Sequence, residues 1–69
     1  MLQEYAVVRL KRAVDSVPVQ PGTTGAVLIV YDSDPAAYEV EFVDETGESL
    51  GTHTVLEANL EQVGEATQK

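Results

Sequence analysis

Sixty-nine residues make one domain with a thin core, because a chain this short buries only about 60 % of the surface it exposes when unfolded. No cysteine and a single histidine exclude disulfides, thiolate catalysis and Cys/His zinc sites. Twelve acidic residues against four basic ones give a net charge of −8, which repels nucleic-acid phosphates and anionic membranes and favours basic partners.

The chain opens without a basic leader ahead of an apolar stretch, so no signal peptide is expected. Tyr5–Leu10 is rich in β-formers and reads as the first strand. Val17–Gly22 follows as a loop that Pro18 and Pro21 keep out of regular pairing. Within it, Pro21-Gly22 fits the centre of a type II turn, where glycine takes positive φ. Gly25 is placed to admit the backbone to a tight corner before Val27. Ala26–Tyr31 is the second strand, and its continuous apolarity predicts cover on both faces. It is also the longest apolar run, far below the ~20 residues a membrane helix needs. A soluble, cytoplasmic protein is expected.

Asp32–Ala36 is turn chemistry throughout. Tyr38–Phe42 alternates with period two, setting Tyr38, Val40 and Phe42 inside and Glu39 and Glu41 in water. Glu45-Thr46-Gly47 reads as a three-residue hairpin loop with Gly47 in the left-handed position. That loop pairs Phe42 with Leu50, Val40 with Thr52, Tyr38 with Thr54 and, on the outer face, Glu39 with His53. Leu56–Leu60 suits one helical turn, and Glu61–Val63 a brief closing strand. The predicted architecture is all-β: a small five-stranded SH3-like half-open barrel over residues 1–63, with one short 3-10 turn before the last strand and a flexible tail over 64–69.

Several stretches invite chemical readings. Gly22 and Gly25 precede a strand rather than a helix, and no lysine follows, so neither a P-loop nor a dinucleotide fingerprint is present. Asp32-Ser33-Asp34 begins like a calcium loop, but alanines follow and the bidentate glutamate is missing. Glu39 and Glu41 stand roughly 7 Å apart by strand geometry, a spacing usable for glycoside inversion, yet on a convex solvated face. His53 has no serine or cysteine nucleophile beside it. Tyr5, Tyr31 and Tyr38 are either core and rim tyrosines or an aromatic groove for a proline-rich ligand. No enzyme is expected, and no cofactor or metal.

Two resemblances add to this reading. Gly22, Gly25 and Val27 resemble the G-x-x-G-x-V opening of SH3-like barrels, including the KOW type, whose members bind RNA or ribosomal proteins. Binders of that type carry basic residues around the loop, whereas Val19–Tyr31 has none. More of the chain, residues 2–63, resembles a family of small bacterial domains of unknown function. The matching residues are Glu4-Tyr5-x-Val7-Val8-x-Leu10, Gly22-x-x-Gly25-x-Val27, the contiguous Ala37–Asp44, Gly47-Glu48 and Leu60-x-x-Val63. The resemblance implies an SH3-like barrel in a stand-alone bacterial protein, implies no activity, and points to a partner protein.

The expected function is therefore a non-enzymatic protein-interaction module. Glu39, Glu41, Asp44, Glu45, Glu48, His53 and Tyr31 are the candidate partner-binding residues, set to dock a basic partner such as a neighbouring toxin-like protein. The alternative is an RNA- or ribosome-associated barrel using Arg9, Lys11 and Arg12, although nucleic acid is disfavoured by the overall charge. No membrane contact is expected, and the chain is expected to be a monomer or a weak homodimer.

Overall fold

Alternation of apolar and polar residues builds the sheet from its middle outwards. In the computed structural model, which describes residues 2–65, the alternating segment is strand β3, Ala37–Val43. Tyr38, Val40 and Phe42 are fully buried on its inner face, as expected. On either side of β3 lie β2, Thr24–Tyr31, and β4, Ser49–Leu56. Strand β1, Val7–Leu10, pairs with the start of β2, and β5, Leu60–Gly64, returns to the far edge of β1. The result is one antiparallel sheet in the order β4-β3-β2-β1-β5, with a single 3-10 turn, Glu57–Asn59, ahead of the last strand. Among the described residues no helix is long and apolar enough to cross a membrane.

One cluster forms the core: Ala6, Val8, Leu10, Val17, Val27, Tyr38, Val40, Phe42, Val55 and Leu60. All five strands supply it, together with Ala6 just ahead of β1 and Val17 from the long first loop, where a Val14–Val17 bridge turns the chain inward. Each large side chain so buried contributes about 1.5–3 kcal/mol relative to exposure.

The turns follow their residues. Gly22 has φ +93°, and Thr23 N–H donates to the Gln20 carbonyl at 3.1 Å, which is the type II turn predicted for Pro21-Gly22. Gly25 is the close-approach glycine: a Cβ there would stand 2.5 Å from the Glu41 carbonyl oxygen. Gly47, at φ +87°, closes the β3–β4 hairpin in the left-handed region.

Four details differ from the sequence expectation. Strand β1 begins at Val7 rather than Tyr5, because Tyr5 itself sits at φ +68°. Strand β2 is not covered on both faces. Its register runs Val27↔Val40 and then Ile29↔Glu39, so Leu28 is the extra residue of a bulge. Beyond it the alternation inverts: Val30 turns toward the core, while Ile29 and Tyr31 stay 47 % and 39 % exposed.

The β3–β4 pairing also slips. Val43↔Ser49 is followed by Phe42↔Gly51, so Leu50 is extruded and Gly51 takes φ +103°. Val40 now faces His53 and Tyr38 faces Val55, and the residue opposite Glu39 is Thr54, not His53. The slip exposes one leucine. In return it buries Val55 beside Tyr38 and turns Thr52 and Thr54 outward, where their hydroxyls escape the cost of burial. The last difference is at the expected tail: Gly64 belongs to β5 and pairs with Val7, while residues 66–69 lie outside the described residues.

Candidate functional site

The outer face of β2, β3 and β4 gathers most of the predicted site. Across it run the rows Tyr31–Ala37–Leu56, Ile29–Glu39–Thr54 and Ala26–Glu41–Thr52. Glu39 is at the centre and half-buried. Its Oε1 accepts a 2.7 Å hydrogen bond from the Thr54 hydroxyl and a 3.3 Å bond from the Tyr31 hydroxyl. The Tyr31 phenol is pushed above its ordinary value, first by desolvation and then by the charge of and hydrogen bond to Glu39. The Tyr31 and Thr54 hydroxyls thus both donate to the same Glu39 oxygen. Around Glu39, the side chains of Ile29, Tyr31 and Leu56 remain exposed to solvent.

Asp44, Glu45 and Glu48 sit in the hairpin loop at the end of β3. Asp44 is committed to the loop itself. Its Oδ1 accepts from the Thr46 N–H (2.9 Å), the Thr46 hydroxyl (2.7 Å) and the Glu48 N–H (2.9 Å). Those bonds, the Thr46 side chain foremost, lower its pKa from the ordinary 3.8. A cleft of about 460 Å³ lies between this loop and the Pro21-Gly22 turn, lined by Val43, Asp44, Glu45 and the extruded Leu50 among others.

His53 does not join the acidic face. The register slip puts it on the inner side opposite Val40, with its ring tilted against Phe42 at a centroid distance of 6.3 Å. Its Nε2 is buried without a hydrogen-bond partner among the described residues. Gly51 makes room for the ring, since a Cβ at that position would stand 3.2 Å from Nε2.

The tyrosines separate in the same way. Tyr38 is buried, its hydroxyl donating to Glu57 Oε1 at 2.8 Å and accepting from the Leu2 N–H at 3.0 Å. Tyr5 and Tyr31 are exposed, so the three do not line one groove. Of the basic residues, Arg9 is paired with Glu61 across β1 and β5 at 3.1 Å, and Lys11 and Arg12 are exposed just beyond β1. Among the described residues no three His, Cys, Asp or Glu side chains come together to hold a metal ion.

Sequence reasoning missed Ile29, Leu50, Thr54 and Leu56 as members of the outer surface. Both bulges are tertiary compromises, and the only local signal was Gly51, the residue that tolerates the second one.

These features define a class: a small antiparallel β-domain whose outer sheet face mixes carboxylates with exposed apolar side chains. Residues 4–62 match the family described as Domain of unknown function (DUF4926), and the chain belongs to that family. No curated protein and no solved structure matches the chain.

Proposed function

We propose that the domain is a protein-interaction module that docks a basic partner on the outer face of β2, β3 and β4. The observation that carries this is the juxtaposition of an anchored carboxylate, Glu39, with the exposed Ile29, Tyr31 and Leu56. Apolar side chains gathered around a fixed charge suit a partner that supplies one buried apolar residue and one lysine or arginine. Glu41 stands in the next row along β3, and Glu45 and Glu48 extend the negative potential beyond the hairpin end. Neutralising a basic, toxin-like neighbouring protein is one form such docking takes. The strand order also supports an SH3-like barrel, and the absence of cysteine accords with a bacterial cytoplasmic setting. The RNA-binding alternative loses a contact, because the Arg9 guanidinium is already engaged by Glu61.

Immobilised wild-type protein and the Glu39→Lys/Glu41→Lys variant, each exposed to a lysate of the native host, test this reading. A specific basic protein should be retained at about 50 mM salt, lost near 0.5 M, and absent from the variant. Equal retention by both proteins, or retention by neither at low salt, refutes it.

A further inference from the structure

The two edges of the sheet are unlike. β5 carries Glu61, cross-linked to Arg9, so one edge is charged in the usual protective manner. β4, the other edge, has no Asp, Glu, Lys, Arg or Pro in its eight residues. Among the described residues no strand pairs with its far side. Beyond the bulge at Leu50, its outward N–H and C=O groups from Thr52 to Leu56 form a regular template, with no charged side chain or proline to discourage a partner.

We propose that the free edge of β4 pairs with the same edge of a second copy of this chain, antiparallel about a two-fold axis through His53. Such an interface must be self-complementary, each residue meeting its counterpart reciprocally. The pattern of β4 has that property. Thr52 and Thr54 flank His53 symmetrically, and Leu50 and Leu56, 42 % and 46 % exposed, stand three residues to either side of it in sequence, Leu50 on the bulge. Centred on His53, the pairing sets Thr52 of each copy against Thr54 of the other and brings the bulged Leu50 toward Leu56. Within β4, any other two-fold register leaves at least one of the two leucines without an apolar counterpart.

Charge does not forbid the union. Three strand spacings of ~4.8 Å separate the Glu39–Glu41 rows of the two copies, roughly 14 Å. That exceeds the Debye length of ~8 Å at physiological ionic strength, so repulsion between the rows is screened. A ten-stranded sheet results, with the two acidic outer faces joined into one surface. The contact is small, and weak association is expected.

Sedimentation equilibrium on the purified protein, from about 10 µM to 1 mM at ~0.15 M salt, reads the association directly. The wild type should pass from monomer toward dimer across this range. Thr52→Lys with Thr54→Lys sets like charges directly across the pair and should raise the dissociation constant about tenfold or more. Leu50→Gln with Leu56→Gln, both at exposed positions, should weaken it without the charge effect. Amide shifts that change with concentration should map to β4 and its β3 neighbours. A wild type that stays monomeric at 1 mM, a dimer that survives both double variants, or shifts confined to β5 or to Glu39 and Tyr31 overturns the proposal. The experiment contains no other protein, so its outcome is independent of whether a basic partner exists.

Discussion

The sequence assigns Gly22 to a positive-φ turn and Gly25 to a close backbone approach, and the structure puts an angle on the first and a distance on the second. Gly25 lies where β2 pairs with β1 and β3 at once, opposite Val8 on one side and Phe42 on the other. A Cβ there would meet the Glu41 carbonyl oxygen at 2.5 Å and the Glu41 carbonyl carbon and Phe42 Cα at 3.0 Å. Ordinary van der Waals contact begins near 3.4 Å, so β3 would have to withdraw by roughly 0.9 Å. Every obstructing atom is backbone, in a central strand whose Phe42 and Val40 are fully buried, and no rotamer change offers relief. Overpacking of this kind costs typically 1–3 kcal/mol and sometimes more, and Gly25→Ala belongs at the upper end, about 3 kcal/mol. Against a total stability on the order of 3–10 kcal/mol for a chain of this length, the variant should be largely unfolded or close to it. Gly22→Ala meets no atom within 4 Å and suffers only from its φ of +93°, a penalty of about 1–2 kcal/mol. Urea unfolding of both variants, followed by far-ultraviolet circular dichroism, gives the comparison. A loss below about 1 kcal/mol at Gly25, or a larger loss at Gly22 than at Gly25, would show that the sheet corner is not closed by backbone contact.

Two further outcomes follow from single hydrogen-bonded groups. Tyr38→Phe leaves the Leu2 N–H without its acceptor and Glu57 without its donor, and should cost about 1–3 kcal/mol in urea unfolding at neutral pH. Burial, followed by the bond to Glu57, raises the Tyr38 pKa above its ordinary 10.0. The wild type should therefore keep this contribution below pH 10 and lose it as pH climbs through the raised value, and the variant should show a flatter alkaline decline. An identical alkaline decline in both proteins would contradict the assignment. Asp44→Ala removes the acceptor of three hairpin bonds and should lower the urea midpoint at neutral pH. Since the Asp44 pKa is depressed from 3.8, that difference should be full above the ordinary value and shrink as pH falls through the lower folded one. A difference that grows on acidification would mean the carboxylate opposes the loop rather than holding it.

Much of this protein was decided locally. Alternation in Tyr38–Phe42, turn residues at Pro21-Gly22 and Gly47, and the short Glu57–Asn59 turn determined five strands and their order of appearance, because each depends on a residue and its neighbours. The tertiary structure decided the two bulges, and through them the site. Leu28 and Leu50 are extruded because the strands must bring Val30 and Val55 to a core shared with Tyr38, a requirement set by residues distant in sequence. One extra residue in a strand inverts every side chain beyond it. That inversion moved His53 off the acidic face to a place against Phe42, and brought Thr54, Ile29 and Leu56 around Glu39 instead. The acidity of the outer face was legible from composition and period. Which neighbours each carboxylate has depended on register, and register is settled only when the whole sheet packs.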